Sequence, residues 1–196
     1  RNWVKALLVM PATPYGFILQ PMNNFKTMLS KCSAFQAWCK ETNENLPANE
    51  PSRSAACLAY IHLVKYDKPS GGFVYPAAII NIPEDSAYVS MGVGASHNDF
   101  SNGTGQFSCT LIREIPTAYA TDDVGAWINF AGEIDGSTKT GVGAILEQIT
   151  ELSMVGEYLW IRRIQIEDGP WWLSEEKKAG AKALMGIRFS IDWGIE

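Results

Sequence analysis

The stretch ALMGIRFSIDWG, residues 183–194, shows the clearest secondary-structure pattern in the chain. Its large apolar side chains occupy every second position, and between them stand glycine, arginine, serine and aspartate. Successive side chains of a β-strand point to opposite faces of a sheet, so this pattern predicts a strand with one face on a core. The apolar members are Met185, Ile187, Phe189, Ile191 and Trp193.

Four other segments of the chain predict strands that could join it. YLWIRRIQIE (158–167) reads as a strand that Gly169-Pro170 ends, and QFSCTLIREIP (106–116) as a strand with mostly one apolar face. VYPAAIIN (74–81) is a short apolar strand. AACLAYIHLV (55–64) fits a helix or a strand by periodicity, and the Tyr60-Ile61 pair with the turn after it favours a strand.

Helical periodicity separates these strands into two groups. Apolar residues recur at steps of three and four between Phe25 and Cys39, which predicts a helix of about four turns. Thr121-Asp122-Asp123 is a typical helix start, and two helices are expected over roughly 122–134 and 140–152 around a glycine-rich interruption. Their apolar stripe is expected to contain Val124, Trp127, Phe130, Ile134, Val142, Ile145, Ile149 and Leu152.

This order of elements predicts an α+β fold. We expect a largely antiparallel sheet of about five strands with helices packed on one face. Residues 21–196 would form this single domain, and residues 1–20, with Pro11, Pro14 and Gly16, would form an extended N-terminal arm. Residues 82–106 connect two predicted strands and would form the tip of a long β-hairpin. Such long connections are commonly functional.

Composition restricts the partners of the chain. Its formal net charge is -5 and its pI about 5.1, which argues against gripping nucleic acid through a basic face. No apolar run reaches the roughly 20 residues of a membrane span, so no membrane partner is expected. Cys32, Cys39, Cys57 and Cys109 form no C-x-x-C pair and predict buried thiols in a reducing compartment, without a metal or cofactor.

The motifs of known enzymes are missing from the sequence. It contains no G-x-S-x-G and no G-K-[ST], and its G-x-G pairs at 92–94 and 141–143 lack the third glycine of a dinucleotide site. His62 lies within a predicted strand, which is typical of a partly buried structural histidine. His97, near Asp99 on the long loop, is the better candidate for a general base. An ordinary solvent-exposed polar residue without a catalytic role would account for a histidine at this position as well. These motifs therefore indicate no catalytic site.

Two features stand out beyond these motifs. No lysine or arginine occurs between Lys68 and Arg113. This absence would suit a surface that must not bind a polyanion, and chance explains the absence equally well. Trp171 and Trp172 follow Gly169-Pro170. One of them is expected to cover the edge of the core, and the other, if exposed, would mark a protein interface.

Several segments together resemble the tail-terminator or tail-completion proteins of long-tailed bacteriophages. The resemblance extends over residues 23–194. The segments that carry it are YPAAIINIPEDS, the long loop, CTLIREIP, the DD helix start, GAILEQITELS, GEYLWIRRIQIEDGPWW and FSIDWG. The resemblance implies an α+β virion protein without enzymatic activity, made in the bacterial cytoplasm. It would form a six-fold ring that caps the tail tube and joins it to neck or connector proteins. The glycine-rich interruption at 132–143 is longer than that family's pattern needs.

The resemblance also implies roles for individual residues. The long loop would face the tube or a channel through which DNA passes without specific binding, and the arm and the tryptophan pair would contact neighbouring subunits. The loop residues are Glu84, Asp85, Tyr88, Met91, His97, Asp99 and Phe100, and the subunit-contact residues are Trp3, Tyr15, Phe17, Trp171 and Trp172.

Two alternatives remain open at the level of sequence. The chain could be another ring component of the neck or tail, such as a head-completion adaptor or a tail-tube protein. It could instead be a small-molecule-binding or hydrolytic α+β domain, with His97 and Asp99 in a pocket under the loop. A ring protein predicts two unlike interfaces, whereas an enzyme predicts one deep cleft in a monomer or dimer.

Overall fold

A computed structural model describes most of the chain and confirms the α+β class. The described residues are 16–40, 46–63, 75–81, 90–92, 102–119, 122–132, 134–135, 138–139, 141–154, 160–172 and 183–195. Within them, helices pack on one face of a mixed, mostly antiparallel sheet.

The sheet is built around two long central strands. β4 (Asn102–Ile115) pairs antiparallel with β8 (Ala183–Ile195) along their whole lengths. The strand order is β1-β2-β4-β8-β7, with β1 (Ile61–Leu63) parallel to β2 (Ala77–Asn81) and the other pairs antiparallel. β3 (Ser90–Gly92) pairs with the start of β4, and β7 (Ile161–Trp172) forms one edge. The strand predicted from the alternation in 183–194 is therefore confirmed.

Helices precede the sheet and interrupt it. Three come first, α1 (Gly16–Lys31), α2 (Ser33–Lys40) and α3 (Glu50–Cys57). Two more, α4 (Asp123–Ala131) and α5 (Gly141–Ser153), lie between β4 and β7, close to the two predicted ranges. The short ribbon of β5 (Ile134–Asp135) and β6 (Thr138–Lys139) occupies the glycine-rich interruption between them.

The core lies between the helices and one face of the sheet. Phe25 of α1 packs edge-on against Phe107 of β4 and Phe189 of β8, with ring centroids 5.4 and 6.3 Å apart. Phe107 and Phe189 belong to the alternating apolar sets of their strands, and both are buried. The period-two pattern of the strands thus faces the helices, as the sequence predicts.

Two predictions for the first third of the chain are wrong. Residues 55–60 are the end of α3 and a 3-10 turn, and only Ile61–Leu63 is a strand. The helix forms because Asn49 caps it, its side chain accepting a hydrogen bond from the Ser52 N–H at 3.3 Å, and Pro51 occupies its first turn. The helix predicted over 25–39 is split at Cys32 into α1 and α2.

Three predicted boundaries also move. α1 begins at Gly16, so residues 16–20 are helical and not part of an extended arm; residues 1–15 lie outside the described residues. β7 continues through Gly169-Pro170 to Trp172, since an edge strand with irregular pairing tolerates a proline. β4 begins at Asn102, so the last part of the predicted hairpin tip is strand, and most of the remaining loop lies outside the described residues.

Candidate interaction surface

Helix α4 is held to the body of the protein at its start and along its inner side. Asp122 caps it by accepting a hydrogen bond from the Gly125 N–H at 3.0 Å. Ala126 and Phe130 are buried on the inner side, and Phe130 packs edge-on against Trp38 of α2 at a centroid distance of 6.4 Å. The helix therefore has a fixed position relative to the core.

Two side-chain hydrogen bonds join α4 to the sheet. Arg113 of β4 is buried and donates to the side-chain oxygen of Asn129. Trp172, at the end of β7, donates from Nε1 to Asp123 Oδ1 at 3.2 Å. The buried guanidinium and the indole together fix the rotation of α4 about its axis, and this rotation decides which side chains face outward.

Three large apolar side chains lie on the outer side of α4. Val124, Trp127 and Ile128 are 69%, 51% and 44% exposed, respectively. They are spaced at i, i+3 and i+4, so they form one patch along the helix, which we call the α4 stripe. The sequence placed Val124 and Trp127 on one apolar stripe with Phe130, and in the structure only Phe130 of these three is buried.

The α4 stripe has the composition of a protein interface. Aromatic residues are enriched in interfaces, and a cluster of exposed apolar side chains on a folded domain commonly marks a contact with another molecule. The neighbouring acids Asp122 and Asp123 are exposed at the same end of the helix, giving the apolar patch a polar border. We therefore take the α4 stripe as the candidate functional surface of the described part of the chain.

The predicted tryptophan pair is half-buried. Trp171 and Trp172 both pack against the hydrophobic core, and Trp172 makes the hydrogen bond to Asp123. Both therefore contribute to the edge of the core within the monomer. Their contact with a neighbouring subunit stays a prediction.

Most other predicted site residues lie outside the described part of the chain. These are Trp3, Tyr15, Glu84, Asp85, Tyr88, His97, Asp99 and Phe100. Met91 lies in β3 opposite Gly103, and Phe17 lies in the first turn of α1. Their roles in contacts with the tube or with other subunits stay predictions.

The four cysteines are free and buried, as predicted. Cys32 donates a hydrogen bond to Gln148 Oε1 at 2.9 Å, and burial raises the pKa of its thiol to about 11. Burial also raises the pKa values of Cys39 and Cys109, whereas a hydrogen bond from Cys39 lowers the pKa of Cys57. A nucleophilic cysteine needs access to its substrate, and these side chains have none from solvent.

The described residues also offer little for histidine catalysis or metal binding. His62 is half-buried in β1, and burial and the nearby Lys26 lower its pKa. Over the described ranges, no group of three or more histidine, cysteine or acidic side chains could hold a metal ion. None of the described helices combines the length and hydrophobicity needed to cross a membrane.

The cap of α4 gives a first testable prediction. Replacing Asp122 with alanine should lower the free energy of unfolding by about 1 kcal/mol, because the Gly125 N–H loses its acceptor. Urea denaturation measures the difference. Asp122→Asn is the matched control, since asparagine caps helices as well as aspartate does and should retain most of the stability. Equal losses in both variants would show that the cap does not stabilise α4.

The raised pKa of Cys32 gives a second prediction. The pKa of the thiol is near its ordinary value of 9.0 in the unfolded chain, and burial raises this pKa to about 11 in the folded protein. Between these values the unfolded state binds fewer protons, so the free energy of unfolding should fall as the pH rises from 9 to 11. Because other groups titrate there too, the measurement is urea denaturation of the wild type against Cys32→Ala. The variant should show the shallower decline, and equal slopes would contradict the prediction.

Comparisons with known proteins give no relative. Neither the protein-family models nor the curated proteins searched contain a match to this chain. Inference about its function therefore depends on the described surfaces and on the pattern of the sequence.

Proposed function

We propose that this chain is a non-enzymatic structural subunit of a long-tailed bacteriophage, a tail-terminator or tail-completion protein. It would assemble into a six-fold ring that caps the tail tube and joins it to neck or connector proteins. It would be made in the host cytoplasm and function in the virion. The resemblance of the sequence segments carries the assignment to this class, and the α4 stripe, a fixed apolar surface with an exposed tryptophan, supports the association of subunits.

Burial of the α4 stripe would supply a subunit contact. Apolar surface removed from water contributes about 25 cal/mol per Å², so covering Val124, Trp127 and Ile128 would favour association. A closed ring needs two different patches on each subunit, one of which accepts the other. The α4 stripe would be one of them, and its acidic border would select a partner surface without a matching negative charge.

The long loop would serve the passage of DNA. Residues between Lys68 and Arg113 contain Glu84, Asp85 and Asp99 but no lysine or arginine. Such a segment repels phosphates and would border a channel without retaining DNA. This part of the proposal depends on the sequence alone, because most of the loop lies outside the described residues.

The mass of the purified protein, alone and with isolated tail tubes, tests the proposal. Light scattering and negative-stain images should show six-fold rings, either free or only at the ends of tubes. Rings bound along the whole tube would instead indicate a tail-tube subunit. Rings that do not bind to tubes would indicate a neck adaptor. A monomer or dimer that ignores tubes would overturn the proposal and favour a ligand-binding domain around His97.

A further inference from the structure

Strand β7 forms one edge of the sheet of the described residues. β8 pairs with one side of β7, and no described strand pairs with the other. The Ser190 hydroxyl of β8 donates to the Gln165 carbonyl at 3.4 Å, so the backbone of Gln165 faces inward. Backbone groups alternate in direction along a strand, so those of Ile164 and Ile166 face outward.

The charges along this edge are arranged in opposite order on the two sides of Gln165. Residues 162–168 read RRIQIED, with two basic residues, two isoleucines and two acidic residues placed around the central Gln165. Arg163 and Glu167, each two positions from the centre, are both exposed. An antiparallel copy of the strand, centred on Gln165, therefore brings each Arg163 close to Glu167 of the other copy, which stands at the register shift between Ile166 and Asp168. A parallel copy would place like charges side by side.

The apolar positions of the segment have the same symmetry. Ile164 pairs with Ile191 of β8 and Ile166 with Phe189, so both isoleucines lie on the face that carries the helices. Ile166 is 53% exposed. In the antiparallel arrangement, each Ile166 would lie beside Ile164 of the other strand and lose much of that exposure.

We infer that the outer edge of β7 pairs with the same edge of a second copy of this chain. The two strands run antiparallel about a two-fold axis at Gln165, and the two sheets become one continuous sheet. Outward backbone groups of Ile164 and Ile166 bond to each other across the axis, and each Arg163 approaches Glu167 of the other copy. The partner is a second copy because an identical strand, run antiparallel, supplies this complementary order of charges.

Irregular pairing on the β8 side defines the extent of the contact. The register of β7 shifts between Ile161 and Arg163 and again between Ile166 and Asp168, so the regular segment is short. Bulges limit unwanted pairing at sheet edges. The backbone pairing would thus be limited to about residues 164–166, and the dimer should depend on protein concentration. This two-fold contact is independent of the proposed ring, whose contacts are heterologous.

A cysteine on the axis tests the register directly. Gln165→Cys should form a disulfide-linked dimer under mild oxidation, because directly opposed, non-hydrogen-bonded residues have Cα atoms about 4.5 Å apart. Arg163→Cys is the matched control on the same strand and face. Its two copies would stand roughly 13 Å apart along the strands and should cross-link several-fold less. The wild type should give no disulfide-linked dimer, because its four thiols are buried.

Charge reversal provides a second measurement that needs no cross-link. Arg163→Glu should move the monomer–dimer transition, followed by sedimentation, to a several-fold higher protein concentration. Adding Glu167→Arg to that variant exchanges the two charges and should restore the original transition. Absence of a Gln165→Cys dimer, equal cross-linking of the control, or a double variant as weak as the single one would overturn the inference. Loss of ring formation alone would leave it intact.

Discussion

Replacing Phe25 with alanine should lower the free energy of unfolding by about 3–5 kcal/mol, the range typical of a buried aromatic residue. Phe25 is fully buried and contacts the rings of Phe107 and Phe189. Truncation would leave a cavity where α1 meets both central strands, and a close-packed core fills such a cavity only in part. Urea or thermal denaturation followed by circular dichroism measures the loss.

Two methionines give a matched control for burial. Met28 is fully buried one turn after Phe25, whereas Met154, just after α5, is 72% exposed. Met28→Ala should cost about 2–5 kcal/mol, and Met154→Ala should stay within about 0.5 kcal/mol of the wild type. A Phe25→Ala variant as stable as Met154→Ala would show that α1 does not pack on β4 and β8.

The fold was predictable where one periodicity dominates over many residues. The alternation from Met185 to Trp193 predicts β8 because its two faces differ, one packing under the helices and the other carrying Arg188 and Asp192. Helices α4 and α5 were likewise indicated by their stripes and by the Asp122 cap. In these segments, local preference and tertiary packing favour the same structure.

Prediction failed where short elements depend on single residues. Residues 55–60 were expected to be strand, yet they end α3 and form a 3-10 turn, because the Asn49 cap and the early Pro51 stabilise a helix of only two turns. Gly169-Pro170 was expected to end β7. The strand tolerates it because the edge position and the register shifts remove the need for regular hydrogen bonds there.

The candidate surface was missed for a different physical reason. Helix α4 has apolar residues on both sides, with Ala126 and Phe130 buried and Val124 and Trp127 exposed. Periodicity cannot decide which side of such a helix faces the core. That choice is made by contacts distant in sequence, namely Arg113 with Asn129 and Trp172 with Asp123.

Replacing the α4 stripe with glutamine should abolish ring formation and attachment to tail tubes while leaving the subunit folded. The variant carries Val124→Gln, Trp127→Gln and Ile128→Gln. Glutamine is a good helix former, and the three positions are exposed, so the free energy of unfolding should change little. Removing the tryptophan and its two neighbours eliminates the apolar area that would anchor the next subunit.

Light scattering and negative-stain images of the stripe variant, with and without tail tubes, measure this effect. Met154→Gln is the control, since it exchanges another exposed apolar side chain, away from α4, and should assemble normally. The stripe variant should still form the Gln165→Cys cross-link, because the edge of β7 and the outer side of α4 are separate surfaces. A stripe variant that forms rings as the wild type does would exclude α4 as the subunit contact.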